Sequence, residues 1–334
     1  MSAVKIGVRM NVAIIGCGFI GDKRARALAG CRLVACADVI VERAAAFARS
    51  RPGVEAVHDW RSAVERPDVD IVLAATTHDA LAEVTLAAVQ AGKHVLVEKP
   101  AARNPSELRP VIESVRGKNI IVRVGFNHRY HPSFIRAGEI AASGQLGDLM
   151  FIRGRYGHGG RIGYEKEWRA VKELSGGGEL IDQGVHLIDL ARTFLGDFTE
   201  VHGYAHTYFW DMDVEDNGFM LLKTPKQQVA FLHTSWTEWK NTFSFEIFGR
   251  HGKLDISGLG GSYGVERLAY YKMLPRMGPP ETVIWEYPMP DRSWDVEFEE
   301  FVEDIRLGRQ PAAGLNDALA ALEIVERIYE ESRL

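Results

Sequence analysis

Between Asn11 and Asp38 the chain sets a strand, a glycine loop, a helix and a second strand in an order that few folds accommodate. Asn11–Ile15 (NVAII) is a short apolar run and predicts a buried strand. Gly16-Cys17-Gly18-Phe19-Ile20-Gly21 follows at once, and residues 22–28 read as a helix. A GxGxxG in that context has a mechanism. Gly16 permits the tight turn, Gly18 lets backbone approach a pyrophosphate, and Gly21 lets helix and strand pack closely. Phe19 and Ile20 complete the loop, and the helix N-terminus faces the anion. Arg32–Ala37 predicts a second strand ending in Asp38, about 20 residues downstream, where a carboxylate binds the ribose hydroxyls of an adenosine. That carboxylate repels the extra phosphate of NADP, so NAD is the expected cofactor and NADP the less favoured one. The alternative is an ordinary α/β turn before a strand-end aspartate.

The alternation continues. Residues 70–75, 94–97 and 120–124 read as strands, and residues 80–91 and 105–115 as helices. Continuous apolar strands separated by helices predict a parallel sheet covered on both faces. Thr76-Thr77-His78 and Glu98-Lys99-Pro100 each leave the carboxyl end of a strand, the rim where open α/β sheets bind ligands. Lys99 there either points into a cleft or is a solvated loop lysine. At 334 residues the chain is too long for one ordinary core. Two domains are expected, an NAD-binding domain over 1–125 and a substrate-binding and oligomerisation domain over 126–334.

The totals exclude several classes. A net charge of -5 gives no basic footprint for nucleic acid. Cys17, Cys31 and Cys36 have no CxxC spacing, so neither a disulfide framework nor a cysteine zinc site is indicated, and a reducing cytoplasm fits. The start of the chain superficially resembles a signal peptide, but it runs into Gly21, Asp22, Lys23 and Arg24 without a small-residue cleavage pattern. No apolar run is long enough to span a bilayer.

Residues 176–190, GGGELIDQGVHLIDL, form the second focus. Three glycines run into Leu180, Ile181, Val185, Leu187, Ile188 and Leu190, which predicts a helix with a close-approach start. Asp182 and His186, four apart, share one face of it. An acid and an imidazole on an apolar helix are either a working pair or a solvated polar edge.

With Glu98-Lys99-Pro100 after a nucleotide-binding half, and GGGELIDQGVH about 80 residues later, the chain resembles the glucose-fructose oxidoreductase / inositol dehydrogenase / rhizopine-catabolism (Gfo/Idh/MocA) family of NAD(P)-dependent oxidoreductases. The resemblance spans essentially the whole chain. It implies an α/β fold: an N-terminal Rossmann domain and a C-terminal α+β domain with a large open, mostly antiparallel sheet. It also implies that Lys99, Asp182 and His186 converge on the substrate carbon. Thr76-Thr77-His78 is similar to the family's usual Thr-Pro-Asn, departing at Thr77 and His78, and Leu81 stands where a histidine is usual. With Glu98 and Lys99 these residues are expected at the cofactor. The resemblance puts residues 125–132, GFNHRYHP, near the substrate, with Asn127 and Arg129 as contacts. His128 and His131 have no carboxylate or cysteine cluster to make them metal ligands, so no metal is expected.

In the second half, residues 149–156, 198–209, 217–224, 227–237, 242–249 and 253–256 have β composition. A helix is expected near 134–143. Two more at 294–306 and 316–329 are expected to close the molecule, the second N-capped by Asn316. A broad sheet with few covering helices must hide one face, so a homodimer or homotetramer through that sheet is expected. Residues 157–174, with Arg161, Lys166, Trp168, Arg169 and Lys172, are either a solvated loop or a recognition loop for phosphate or carboxylate, Trp168 stacking on a sugar or base. Trp236 and Trp239 either line the same side or are core.

The expected activity is hydride transfer between nicotinamide and a carbinol carbon of a sugar, cyclitol (polyol) or nucleotide sugar. His186 serves as general acid/base, Lys99 stabilises the oxygen, and Asp182 orients His186 or binds a hydroxyl. An NAD-dependent glycoside hydrolase and a non-catalytic NAD-binding sensor are the alternatives.

Overall fold

A computed structural model of the chain describes residues 9–333. The first residues of the signal-like start lie outside the described residues. The chain divides into two compact units: one of residues up to Ala102, Ser106–Gly125 and Trp294–Leu315, the other of Arg103–Pro105, Phe126–Ser293 and Asn316 onward.

In the first unit β1 (Asn11–Ile15), β2 (Arg32–Ala37), β3 (Glu55–Val57), β4 (Ile71–Ala74), β5 (His94–Glu98) and β6 (Val122–Gly125) make a sheet in the order β3-β2-β1-β4-β5-β6, all pairs parallel. The order reverses beside β1, where open α/β sheets bind their ligand. Helices α1 (Phe19–Arg26), α2 (Val41–Arg49), α3 (Trp60–Val64), α4 (His78–Gln90) and α5 (Pro105–Val115) are the crossovers. Val12, Ile14, Leu73 and Leu96 are buried because helices cover the sheet. The core is completed from far along the chain: Phe298, Phe301 and Val302 join the cluster of Val12, Ile14, Phe47 and Ile71. Three short elements, α2, β3 and α3, have no counterpart in the sequence reading.

In the second unit β7 (Leu149–Gly157), β8 (Glu200–His206), β9 (Asn217–Lys223), β10 (Val229–Ser235), β11 (Thr242–Gly249), β12 (Gly252–Ser257), β13 (Glu266–Lys272) and β14 (Glu281–Tyr287) form a sheet in the order β14-β13-β12-β11-β7-β10-β9-β8. Only β7 and β10 pair in parallel. Its inner face carries Ile152, Leu232, Phe245, Ile247 and Leu254. Against it lie α6 (Pro132–Ala142), the short α7 (Lys172–Ser175) and α8 (Val185–Leu195). Phe134 of α6 meets Phe243 and Phe245 edge-on. Gly154 sits mid-strand where neighbouring side chains crowd it: a Cβ there would stand 2.9 Å from Leu232 and 3.1 Å from Phe245.

The C-terminal helices are α9 (Ser293–Leu307) and α10 (Leu315–Ser332). Since α10 begins at Leu315, Asn316 lies inside its first turn and is not its N-cap. The strand expected over 198–209 stops at His206, because Tyr208, Phe209 and Trp210 turn their amides onto the buried Asp216 carboxylate. Among the described residues no helix is long and apolar enough to cross a membrane. The three cysteines are buried and unpaired.

Candidate active site

In the first unit the glycine loop leaves β1 in a form that only glycine fits. Gly16 has φ +98, and a Cβ on it would overlap the Ala75 carbonyl oxygen at 2.3 Å. At Gly21 a Cβ would sit 2.0 Å from the Gly16 oxygen, so α1 packs against the turn itself. Gly18 is the reverse case, with no heavy atom within 4 Å of its would-be Cβ. Backbone there is open to a ligand at the start of α1, where the first N–H groups have no helical partner. Ile20 is partly buried, and Phe19 beside it is 74% exposed.

Asp38 is buried at the end of β2. Its oxygens accept from the Cys17 and Ile40 amides, each at 2.8 Å, and Arg43 stands 3.4 Å away. A carboxylate has about four acceptor positions, so capacity remains for ribose hydroxyls. Together the open glycine and the acceptor at the β2 end fit an adenine dinucleotide.

On the neighbouring rim Thr77 is the N-cap residue of α4, its hydroxyl donating to Asp79, and the Thr76 hydroxyl donates to the Thr77 carbonyl. The helix begins two residues earlier than the sequence predicts, so His78 lies in its first turn and is buried. Lys99 leaves β5 half-buried, and the Lys99–Pro100 peptide is cis. The Glu98 carboxylate accepts from Arg24 at 2.5 Å, and Arg24 also holds Glu297. Gly125 leaves room for this pair, since a Cβ there would meet Arg24 at 2.7 Å. Glu98 thereby ties α1 to the sheet.

In the second unit the Asp182–His186 segment is not one regular helix. Leu180–Gly184 is a π turn, and α8 starts at Val185. A π turn inside a helix is rare and frequents functional sites. The glycine run before it is fixed by contact. A Cβ on Gly177 would meet the Tyr329 hydroxyl at 2.0 Å, and one on Gly178 the Glu215 carbonyl oxygen at 1.9 Å. Glu215, fully buried, accepts from the Gly178 and Leu180 amides, both at 2.9 Å, and from Tyr329 at 2.8 Å. Burial pushes its carboxyl up despite those donors.

Asp182 and His186 are each 3% exposed. Arg169 donates from Nε to Asp182 Oδ2 at 3.0 Å and lies over the Trp168 ring. Burial lowers the Arg169 guanidinium, and the charge and hydrogen bond of Asp182 together with Tyr164 and Glu167 more than offset it, so Arg169 stays a cation. A buried carboxylate needs such a partner. His186 is stacked on His128, ring centroids 3.8 Å apart, with Phe126 and Tyr156 edge-on to it. Burial pushes Tyr156 well up, reinforced by Tyr263, Glu179 and Asp182, so it is a neutral phenol here. His158 is lowered by burial against the pull of Asp182 and is a neutral imidazole.

Other expected contacts are already engaged. Arg129 makes a two-pronged ion pair with the buried Asp189, 2.7 Å at Nε, and approaches Asp317 at 3.4 Å. It locks residues 127–130 onto α8. Asn127 is buried and donates to Ser293 at 2.8 Å. Arg161 pairs with Glu167 in its own loop. Trp236 is core with Tyr164 and Val214, whereas Trp239 is 63% exposed, so the two do not share a side. Sequence reasoning missed Tyr156, His158, Glu215 and Tyr263. Only Tyr156 had a signal, the inward phase of the alternation along β7. Among the described residues no three His, Cys, Asp or Glu side chains group to hold a metal ion.

Residues 10–126 match the model of the oxidoreductase family with an NAD-binding Rossmann fold, and residues 134–255 the model of the GFO/IDH/MocA C-terminal domain. Levoglucosan dehydrogenase of Pseudarthrobacter phenanthrenivorans is 33% identical over 228 residues, 64% of this chain and 58% of that protein, so the match spans less than two thirds of that relative. Inositol 2-dehydrogenase of Salmonella typhimurium is 25% identical over 313 residues, 91% of this chain and 88% of that protein. Among solved structures, levoglucosan dehydrogenase in complex with NADH and L-sorbose superposes with a TM-score of 0.86 at 26% identity, over 97% of this chain and 98% of that one. With an open glycine loop and acceptor carboxylate in one unit, and the Asp182–His186 turn on an open sheet in the other, the chain belongs to the GFO/IDH/MocA family of oxidoreductases and carries its NAD-binding Rossmann domain.

Proposed function

We propose that the chain is a dehydrogenase that oxidises a secondary alcohol carbon of an uncharged sugar or cyclitol. The observation that carries this reading is the buried pair Asp182 and His186, one held by Arg169 and the other stacked on His128. NAD, when bound, supplies the acceptor for the hydride that leaves the carbinol carbon. His186 takes the hydroxyl proton as general base, since an imidazole exchanges protons near neutral pH. Lys99 stabilises the oxygen as it becomes an alkoxide. Asp182, paired with Arg169, accepts from a neighbouring hydroxyl and fixes the substrate's register. In the reverse direction His186 returns the proton.

Substrate charge follows from what the arginines do. Arg161, Arg169 and Arg129 are paired with Glu167, Asp182 and Asp189, and a ligand phosphate would have to compete with those carboxylates. This favours free sugars and cyclitols over nucleotide sugars, as do relatives named for levoglucosan and inositol. The test is reduced-nicotinamide absorbance with NAD and panels of anhydrosugars, ketohexoses, inositols and nucleotide sugars. A signal confined to the nucleotide sugars would overturn the assignment of substrate class. NAD binding with no signal and no product would overturn the dehydrogenase.

The outer face of the large sheet supports self-association. The register places Leu221, Phe231, Arg153, Glu246, Asp255, Ala269 and Ile284 in one row, with Leu221, Phe231 and Ile284 exposed. A second copy of this face would cover it, giving a homodimer or homotetramer in the cytoplasm, with light scattering as the check.

A further inference from the structure

The His186 ring is held by one stacked and two T-shaped ring contacts. His128 lies flat against it, planes 19° apart; Phe126 meets it edge-on at 5.9 Å and Tyr156 at 6.4 Å. His128 is itself held in place. Its Nδ1 lies 3.2 Å from Asn127 Oδ1, and the Asn127 amide nitrogen is directed to Ser293. That orientation presents a carbonyl to His128 and makes Nδ1 its protonated nitrogen. Tyr156, Phe243 and His131 surround the remaining edges of the His128 ring.

We propose that His128 is a positioning residue for His186, fixing the plane of its ring and setting how readily it holds a proton. Two imidazolium ions stacked at this distance repel strongly in a site with little water, so the pair carries one positive charge at a time. We assign that charge to His186, with His128, bonded through Nδ1 to Asn127 Oδ1, as the neutral member. Its π face then lies against His186 and favours the cation that forms when His186 accepts a proton. Other charged and titratable groups belong to the elements around the pair. Asp182 comes from the π turn with Arg169 on it, Tyr156 from β7 with Tyr263 behind, and Glu179 precedes the turn. His131 stands behind His128, bonded to Glu266 and 3.9 Å from Asp291. These are common to all the variants below, so differences among variants report His128 alone. The consequence for turnover rests on His186 being the general base; the stacking does not.

The experiment is histidine imidazole NMR on the full chain loaded with NAD, without substrate, alongside the pH profile of kcat/KM. The His186 resonance is assigned by its loss in His186→Asn. His128→Phe keeps a ring on that face and leaves the titration midpoint within about half a unit of the parent. His128→Leu removes the π face and lowers it. His128→Arg fixes a cation there and lowers it by more than about one unit, a tenfold loss of proton affinity. Melting and NAD binding establish that each variant is folded. A His186 midpoint unmoved in both folded Leu and Arg variants overturns the proposal, as does a shift of more than about one unit in His128→Phe. Midpoints that move as expected, in a protein whose His186→Asn variant still turns over, uphold the stack and remove the general-base reading instead.

Discussion

His186 and Asp182 are costly side chains to bury on an otherwise apolar segment; His186 is stacked on His128 and Asp182 accepts from Arg169. Replacing His186 by Asn keeps a polar group of similar size and removes the base. Turnover should fall by ~10²–10⁴-fold with NAD affinity unchanged, as measured by steady-state rates and fluorescence titration of the cofactor; full turnover would remove His186 from the role. Asp38 answers a separate question. Asp38→Ala removes an acceptor for ribose and the anchor of the Cys17 and Ile40 amides. NAD should bind about tenfold more weakly, the value of one strong hydrogen bond, and the preference for NAD over NADP should shrink. An unchanged ratio of the two dissociation constants would sink that assignment. Asp38 and the glycines were legible because their chemistry follows from local spacing. The internal partners of Arg129 and Glu98, Asp189 and Arg24, are not legible because they are remote in sequence. Spacing does not tell a cation waiting for a ligand from one already spent on an internal carboxylate.

The element that carries the site is the passage from glycine run to π turn to α8. Its apolar period and its close-approach start were readable, because glycines at 176–178 only make sense where backbone must come near. What they come near was not readable: Glu215 and Tyr329 are supplied from other elements. The strands divide in the same way. β11, with Phe243, Phe245 and Ile247 inward, declares itself by alternation. β13 and β14 escaped, being charged strands at the sheet margin that follow glycine- and proline-rich loops. Gly178→Ala tests the support of the site directly. The new Cβ would stand 1.9 Å from the Glu215 oxygen, so the turn must shift. A cost of about 1–3 kcal/mol is expected, with a fall of roughly 2–4 °C in melting temperature per kcal/mol and a loss of turnover larger than the loss of stability explains. Gly138→Ala is the control: in α6, with no heavy atom within 4 Å of its Cβ, it should be neutral or stabilising. Equal melting temperatures for the two variants would show that the close approach at Gly178 is not a constraint.

At the scale of the molecule, the chain leaves its first unit at Gly125 and returns to it at Trp294. The sequence reading made a single cut after 125, because an amphipathic helix does not announce which core it covers. The return is written in charge as well as in Phe298 and Phe301: Arg24 meets Glu297, and Arg123 meets Asp304, all buried. The first unit is thus closed by its own C-terminal segment, and a buried group inside it is expected to report on its stability. His94 is such a group. Its Nδ1 accepts the Ile121 amide at 3.0 Å, joining β5 to the segment before β6, and burial lowers its proton affinity against the pull of Asp70. The sign follows from proton counts. Below the ordinary imidazole value of 6.5 the unfolded chain binds a proton at His94 that the folded chain binds less readily, so acid favours unfolding. The ring must stay neutral at Nδ1 to accept, so protonation also breaks the bond. The melting temperature should hold above about pH 7 and fall as pH drops toward 5. His94→Gln should lose about 0.5–1.5 kcal/mol at pH 7.5 from the bond and then fall less steeply than the parent between pH 7 and 5. Parallel melting curves for parent and variant across that range would place the acid sensitivity elsewhere, on the other histidines lowered by burial, His158 and His233.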